Sequence, residues 1–329
     1  MQHTKDALMQ FQALPLSYKI RMTAERIDGW YQHWAGYRSD YKEGDPTGVY
    51  LSFSGGKDST VLRHIIKNHC IAVYDCPSVF VDTGLEYPEI KAFASEHADV
   101  VLHPTMSFNK VIARYGYPII GKQQARGIRD LQNAHGQNDA TVNLRLTGYN
   151  RKGVYCSTQK LGDKWHHLKD APFKVSEQCC EVMKKKPIGK YAKEALRAPI
   201  TATMCEESNA RTRAWLQNGC NAFYAKNPTS QPMSFWTEQD VLEYLVTEKV
   251  PYCSIYGEIK QDEAGRYFTT GEHRTGCMFC AFGAHLETTP NRFERMRETH
   301  PKQHAYCMKS TDEGGLGMAA VLDYIGVKY

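Results

Sequence analysis

The stretch from Tyr50 to Lys67, YLSFSGGKDSTVLRHIIK, constrains this chain more than any other. Val49, Leu51 and Phe53 alternate as a buried strand requires, and Val61, Leu62, Ile65 and Ile66 recur at helical spacing. Between them Ser54, Gly55, Gly56, Lys57, Asp58 and Ser59 must turn strand into helix within a few residues. Such a loop aims several backbone N–H groups into one space at the positive end of a helix dipole, which suits an anion. It is not a P-loop, which needs four residues between its first glycine and Gly-Lys-Ser/Thr; here Lys57 directly follows Gly56. Ser54, the Gly55 and Gly56 amides and Ser59 could still wrap a pyrophosphate. Lys57 would neutralise its charge, and Asp58 would cap the helix or help hold Mg²⁺. A strand–helix turn with an incidental lysine is the plainer alternative.

Short apolar runs alternate with helical patterns from Gly48 onward. Residues 49–53, 78–82, 99–103 and 199–204 read as strands, and residues 61–66 and 88–97 as helices. The alternation predicts an α/β fold with a doubly wound parallel sheet, in which ligands bind beyond the carboxyl ends of the strands. Ahead of it, Ile20, Ile27, Trp30, Tyr31 and Trp34 form a helical apolar stripe within residues 1–45. This extension either packs on the main domain or meets a partner. Residues 134–178 are polar and irregular, reading as an excursion or a small hairpin insert. Lys184, Lys185 and Lys186 read as a solvated helix face rather than neighbours of a phosphate or cluster.

The chain has 329 residues, 42% hydrophobic and 23% charged, with a formal net charge of +5, too mild to argue for nucleic acid by itself. No run approaches the ~20 apolar residues of a membrane span, and MQHTKDALMQ lacks the apolar core of a signal peptide. A cytoplasmic location without a membrane partner is therefore expected. In that reducing compartment the 11 cysteines point to metal or redox roles rather than disulfides.

Four cysteines stand out. Cys179 and Cys180 are adjacent, and Cys277 and Cys280 form a C-x-x-C pair, with 96 residues between Cys180 and Cys277. Two such pairs could complete a four-thiolate set for a metal or cluster. Structural zinc usually takes two short-spaced pairs, whereas adjacent thiolates diverge and suit the wider corners of a cubane. Zinc, or no metal at all, stays open. Cys220 and Cys253 are reserve ligands, and Cys205 lies at a strand end near the loop.

The second strand ends in Val81-Asp82-Thr83-Gly84, followed by Glu86. A carboxylate and a hydroxyl there suit a ribose or a metal–phosphate contact. SGGKDS followed by VDTG resembles the adenine-nucleotide α-hydrolase superfamily, and within it the phosphoadenylyl-sulfate (PAPS) reductase family. Met204 to Arg211, with Glu207, Ser208 and Arg211, resembles that family's G-x-R-x-x-E-S-x-x-R strand end. Pro232 to Val241 resembles its P-x-x-x-W-t-x-x-D-V helix start, where Thr237 also reads as an N-cap with Asp240 at the third helical position. Pro251-Tyr252 and Gly276-Cys277 follow in family order. The resemblance spans about residues 48–285. It implies a nucleotide site formed by Ser54, Gly55, Gly56, Lys57, Asp58, Ser59, Asp82, Thr83, Gly84, Glu207, Ser208 and Arg211, with Lys57, Asp58 and Asp82 as the chemical groups. The adenylyl-sulfate (APS) reductases of the family carry the same CC…CxxC set on a [4Fe-4S] cluster, which implies Cys179, Cys180, Cys277 and Cys280 as ligands. The expected domains are a helical extension (1–46), a nucleotide-binding domain (47–250) and a C-terminal segment completing the iron–sulfur site (251–329).

Two departures shape the functional reading. Sulfonucleotide reductases need a nucleophilic cysteine in a C-terminal Glu-Cys-Gly-x-His motif, which this chain lacks; Cys307 is the only cysteine in the tail. They also carry a degenerate first loop, whereas an intact SGGKDS is kept by the ATP pyrophosphatases. ATP rather than APS or PAPS is the expected nucleotide. The expected activity is adenylation with release of pyrophosphate, coupled to sulfur transfer, with the cluster beside the site, as in the sulfur-insertion enzymes of DNA phosphorothioation and tRNA thiolation. Its sulfur acceptor (nucleic acid among the candidates), its sulfur donor or reductant protein, and its state as monomer or homo-oligomer are not set by the sequence. Reduction of APS or PAPS, and non-catalytic nucleotide binding in regulation, are the alternatives.

Overall fold

The computed structural model describes residues 3–36 and 39–329; of the helical extension, residues 1, 2, 37 and 38 lie outside the described residues. The strands are β1 (Gly48–Phe53), β2 (Ser78–Val81), β3 (Val100–Leu102), β4 (Ile119–Ile120), β5 (Arg197–Ile200), β6 (Asn221–Ala222), β7 (Thr229–Ser230), β8 (Ile259–Gln261), β9 (Tyr267–Thr269) and β10 (Ala281–Phe282). Six of them form one sheet in the order β3-β2-β1-β5-β7-β6. All pairs in it are parallel except β6 with β7. The chain runs outward from β1 to β3 and then resumes on the other side of β1 at β5. Strand order therefore reverses between β1 and β5, the place where open α/β sheets bind ligands.

β5 begins and ends earlier than residues 199–204. Its neighbour β7 has only two residues, and Ile200 opposite Ser230 is the single paired position. The Thr201 amide still donates to the Ser230 carbonyl (2.9 Å), and beyond it no ladder is left to hold the chain extended. It turns instead into a short 3₁₀ segment at Cys205–Glu207.

The extension forms α1 (Lys5–Gln12) and α2 (Leu16–Ala35), broken at Pro15, which has no N–H to continue a helix. Ile27, Trp30 and Trp34 are buried in the same core as Val49, Leu51 and Phe53 of β1, with Ile20 and Tyr31 packed partly against it. Lys19 is 1% exposed, and its Nζ lies 2.7 Å from both carboxylate oxygens of Asp240. The Trp236 indole N–H donates to Thr23 Oγ1 (2.9 Å). The extension thus packs on the sheet unit.

By contact the chain divides into two compact units that interleave along the sequence. One comprises Met1–Asp82, Glu86–His103 and Pro187–Thr275; the other comprises Thr83–Leu85, Pro104–Lys186 and Gly276–Tyr329. The first holds the six-stranded sheet, α1, α2, α3 (Lys57–Asn68) and α4 (Pro88–His97). The second is mostly helical around the short β4–β10 pair. Residues 134–178 are more ordered than their composition implies: a helix spans Asp139–Thr147, and Tyr149 bridges Tyr155 in antiparallel fashion. Asp139 in its first turn favours that helix, and Gly148 at φ +86° ends it. Among the described residues no helix is long and apolar enough to cross a membrane.

Candidate functional site

β1 and β2 end side by side, with Phe53 opposite Phe80, so the loop after β1 and the carboxylate after β2 leave the sheet at one edge. The loop is as tight as its glycines require. Gly55 has φ +72°, and a Cβ there would lie 2.8 Å from Ala94 Cβ and 3.1 Å from the Ile90 carbonyl oxygen. The Ser59 hydroxyl closes the turn, donating to the Gly56 carbonyl (2.9 Å) and accepting from the Ser54 amide (3.2 Å). Ser54 Oγ sits 3.0 Å from Ser59 Oγ and accepts from the Gly56 amide at 3.3 Å.

α3 starts at Lys57, and Thr60 makes its first intrahelical bond, to Gly56. The Lys57, Asp58 and Ser59 amides therefore have no acceptor within the helix. Lys57 N–H donates instead to the Tyr256 hydroxyl (3.1 Å), which also lies 2.7 Å from Thr275 Oγ1. The Lys57 side chain is nearly enclosed, its residue 3% exposed. Its Nζ lies 3.1 Å from Glu238 Oε1 and 3.6 Å from Asp58 Oδ1, and donates to the His273 carbonyl at 3.2 Å. Burial pushes the Asp58 carboxyl up from its ordinary value; Lys57 pulls it down and Glu238 adds to the rise. Arg211 is held below its ordinary value by burial and by repulsion from Arg274, and both guanidinium groups attract Asp58. Three cations, Lys57, Arg211 and Arg274, thus act on the Asp58 carboxylate at the head of α3, with Glu238 also paired to Lys57.

The predicted Glu207, Ser208 and Arg211 divide the work. Glu207 accepts from the Met204 amide (3.2 Å) and pairs with Arg211, and Ser208 caps the helix Asn209–Asn218. The first two brace the third. Asp82 is 8% exposed and lies 2.9 Å from Lys91 Nζ and 3.8 Å from His103 Nδ1. Thr83 Oγ1 accepts from the Leu85 amide (3.2 Å), and Gly84 turns at φ +72°; both cluster with the second unit. Tyr256, His273, Arg274, Thr275 and Glu238 are absent from the sequence-based site. The glycine-bounded polar run Gly271-Glu272-His273-Arg274-Thr275-Gly276 was the available signal.

In the second unit Cys179, Cys180, Cys277 and Cys280 line one pocket with Leu85, Phe108, Pro118, Met183 and Lys184. The segment 117–120 brings them there. Tyr117 donates to the Lys174 carbonyl (2.8 Å) and accepts from the Ser176 amide (3.0 Å), just ahead of the adjacent cysteines. Two and three residues on, Ile119 and Ile120 pair in parallel with Ala281 and Phe282, just after Cys280. Gly116, at φ +110°, lets this segment approach; a Cβ there would fall 2.4 Å from the Lys174 carbonyl carbon. Cys179 and Cys180 open a helical segment that widens into a π turn at Glu181–Lys185, a feature frequent at functional sites. Cys277 and Cys280 are joined by a turn, and the Met278 amide donates to the Leu85 carbonyl (2.8 Å).

Cys179 and Cys180 sulfurs lie 4.0 Å apart. Hydrogen bonding to Cys180 and burial push the Cys179 thiol up. Cys180 is lowered by that same bond and by Lys122 and Lys184. Burial raises Cys280 to about 11, with Cys277 adding to it. Among the described residues no group of three or more His, Cys, Asp or Glu is gathered to hold a metal ion. Cys179, Cys180, Cys277 and Cys280 nonetheless line the same pocket, so these four are the residues that could hold a metal or cluster. Lys184 lines that pocket, whereas Lys185 and Lys186 are exposed, so only two of the three lysines form the expected solvated face. Cys220 and Cys253 do not line the pocket; both are buried in the sheet unit. Cys205 is buried as well, its thiol raised to about 12 by burial.

The family model of the phosphoadenosine phosphosulfate reductase domain matches residues 48–115 and 128–282. An uncharacterized protein of Methanocaldococcus jannaschii is 24% identical over 267 residues, covering 79% of this chain and 42% of that protein. The chain thus spans less than half the length of that curated relative. Among solved structures, a PAPS reductase from Candida auris in a phosphate complex aligns at 13% identity with a TM-score of 0.37, over 81% of this chain and 98% of that one.

Proposed function

The chain belongs to the phosphoadenosine phosphosulfate reductase domain family, and from its intact SGGKDS loop we propose that it adenylates an acceptor with ATP and couples this to sulfur transfer. The observation that carries the reading is Lys57, enclosed at the first turn of α3 beside amides that have no acceptor within the helix, with Arg211 and Arg274 nearby. That concentration of donors and positive charge matches a triphosphate. Ser54, Ser59 and the α3 amides bind the β- and γ-phosphates. Mg²⁺ arrives with ATP, and Asp58 is its candidate ligand. An acceptor oxygen attacks the α-phosphorus, the bond to the bridging oxygen breaks, and pyrophosphate leaves with the electron pair. Lys57 stabilises that departing charge. A hydrosulfide nucleophile then displaces AMP: the acceptor's bond to sulfur forms as its bond to the AMP oxygen breaks, and AMP leaves with the electron pair.

Cys179, Cys180, Cys277 and Cys280 are the residues that would hold a [4Fe-4S] cluster. When bound, such a group supplies one-electron chemistry or a binding point for sulfur. The chain's own contribution is a pocket lined by the four cysteines and Lys184, with Lys122 and Lys184 lowering the Cys180 thiol. Cys307 argues against a tail thiol as nucleophile. It is 0% exposed in the helix Pro301–Met308, and burial raises it to about 12, so the thiolate needed for attack on sulfur is disfavoured.

The test is anaerobic incubation with labelled ATP, APS and PAPS, with exchange of labelled pyrophosphate into ATP as the readout of adenylation. ATP-dependent exchange that survives Cys307→Ser is expected. Sulfite released from APS or PAPS, and lost on Cys307→Ser, would establish the reductase instead. Tight nucleotide binding with no turnover of any of the three would establish the regulatory reading.

A further inference from the structure

Beyond the helix Asp139–Thr147 the chain makes a hairpin that neither the nucleotide loop nor the cysteine pocket uses. Tyr149 bridges Tyr155, and directly opposed residues of an antiparallel pair project from the same face. Their rings lie 5.2 Å apart and are 49% and 54% exposed. The tip between them, Asn150-Arg151-Lys152-Gly153-Val154, is built rather than loose. Asn150 Oδ1 accepts from the Lys152 amide (2.9 Å) and the Val154 amide (3.0 Å), and the Gly153 amide donates to the Asn150 carbonyl (2.9 Å). Gly148 is also required: a Cβ there would fall 2.5 Å from Tyr155 Cε2, so only glycine lets that ring fold back over the chain.

From Gly148 to Gly162 the sequence holds three cations, Arg151, Lys152 and Lys160, of which Lys160 pairs with Asp163 (3.0 Å). Arg151 and Lys152 are exposed at the tip. Beside the hairpin an open pocket of about 320 Å³ is lined by Ser157, Lys160, Asp163 and Trp165 among others. Exposed rings on a rigid hairpin, flanked by cations, are the two elements of a single-strand platform: π-faces for unpaired bases and positive charge for the backbone. A duplex keeps its bases stacked and offers no face to either ring.

We propose that the Tyr149–Tyr155 hairpin binds single-stranded nucleic acid, by stacking on the two tyrosines and pairing of phosphates with Arg151 and Lys152. The inference rests on the proposed sulfur transfer only for its purpose, which is to bring in the acceptor. Binding itself needs neither ATP nor an occupied cysteine pocket.

The experiment is fluorescence anisotropy of the full chain, without nucleotide, against labelled 15-nucleotide RNA and DNA strands, the matching duplexes, and heparin as competitor. Single strands should bind more tightly than duplexes, and the better of RNA and DNA names the acceptor class. Tyr149→Ala should weaken binding about 5- to 150-fold, as expected for loss of one stacked base, with Tyr155→Phe retaining affinity. Lys152→Ala should reduce the slope of log affinity against log salt by about 0.7. Because both rings are exposed, melting temperatures should be unchanged, which separates a lost contact from a lost fold. Affinity unaffected by Tyr149→Ala, or duplex and heparin binding as tightly as single strands, overturns the proposal. Pyrophosphate exchange is read separately, so either proposal can fail without the other.

Discussion

Lys57 Nζ is met by the Glu238 and Asp58 carboxylates and by the His273 carbonyl. On the proposed reading, phosphate oxygens would compete with these acceptors for the ammonium group. Lys57→Ala should weaken ATP binding about 10- to 150-fold, the value of a charge-assisted hydrogen bond or two, measured by calorimetry with Mg²⁺ present. The loss should fall toward the upper end, because Glu238 and Asp58 would then face the phosphates uncompensated. Unchanged ATP affinity would remove Lys57 from the site. At this scale the local sequence was informative where contacts are local. Ser59 closes the loop on Gly56, and Thr237 caps its helix with Asp240 as its spacing required. Tyr256 was not legible, because nothing within a few residues of it marks the loop that it meets across the fold; Arg274 lies in a glycine-bounded polar run, but nothing local ties that run to the loop.

Among the elements, α2 carries the clearest energetic consequence. Lys19 and Asp240 form a buried ion pair, and Asp240 is also the third-position partner of Thr237. Removing one member leaves a buried charge without its partner, so Lys19→Met should destabilise the chain by about 3–5 kcal/mol in urea unfolding. Adding Asp240→Leu should recover most of that loss. It should not recover all, because the cap contributes about 1 kcal/mol of its own. If Lys19→Met were neutral, the extension would not be part of the core. The apolar stripe on α2 was visible as periodicity; its anchoring to Trp236 and Asp240 was not, since periodicity shows which face is buried and not against what.

For the whole molecule, the interleaving of two units along the chain matters most. Each unit is assembled from separated stretches, and in the second the segment 117–120 pairs on one side with residues leading to Cys179 and on the other with those leaving Cys280. Anaerobically purified protein should contain iron and acid-labile sulfide in equal amounts, and Cys277→Ser should lose both and lower the melting temperature, because a metal that ties distant segments adds its binding energy to folding. A colourless protein loaded with zinc would reject the cluster. By itself the sequence determined the strand–glycine loop–helix unit and the parallel α/β class, because strand alternation, helical periodicity and turn chemistry act over a few residues. Only the tertiary structure decided that Glu207 and Ser208 brace Arg211, that Lys57 meets Tyr256 and Glu238, that Cys307 is buried, and that the two cysteine pairs line one pocket. Those outcomes depend on which distant segments share a pocket, and that is set by packing, not by any short-range preference of the chain.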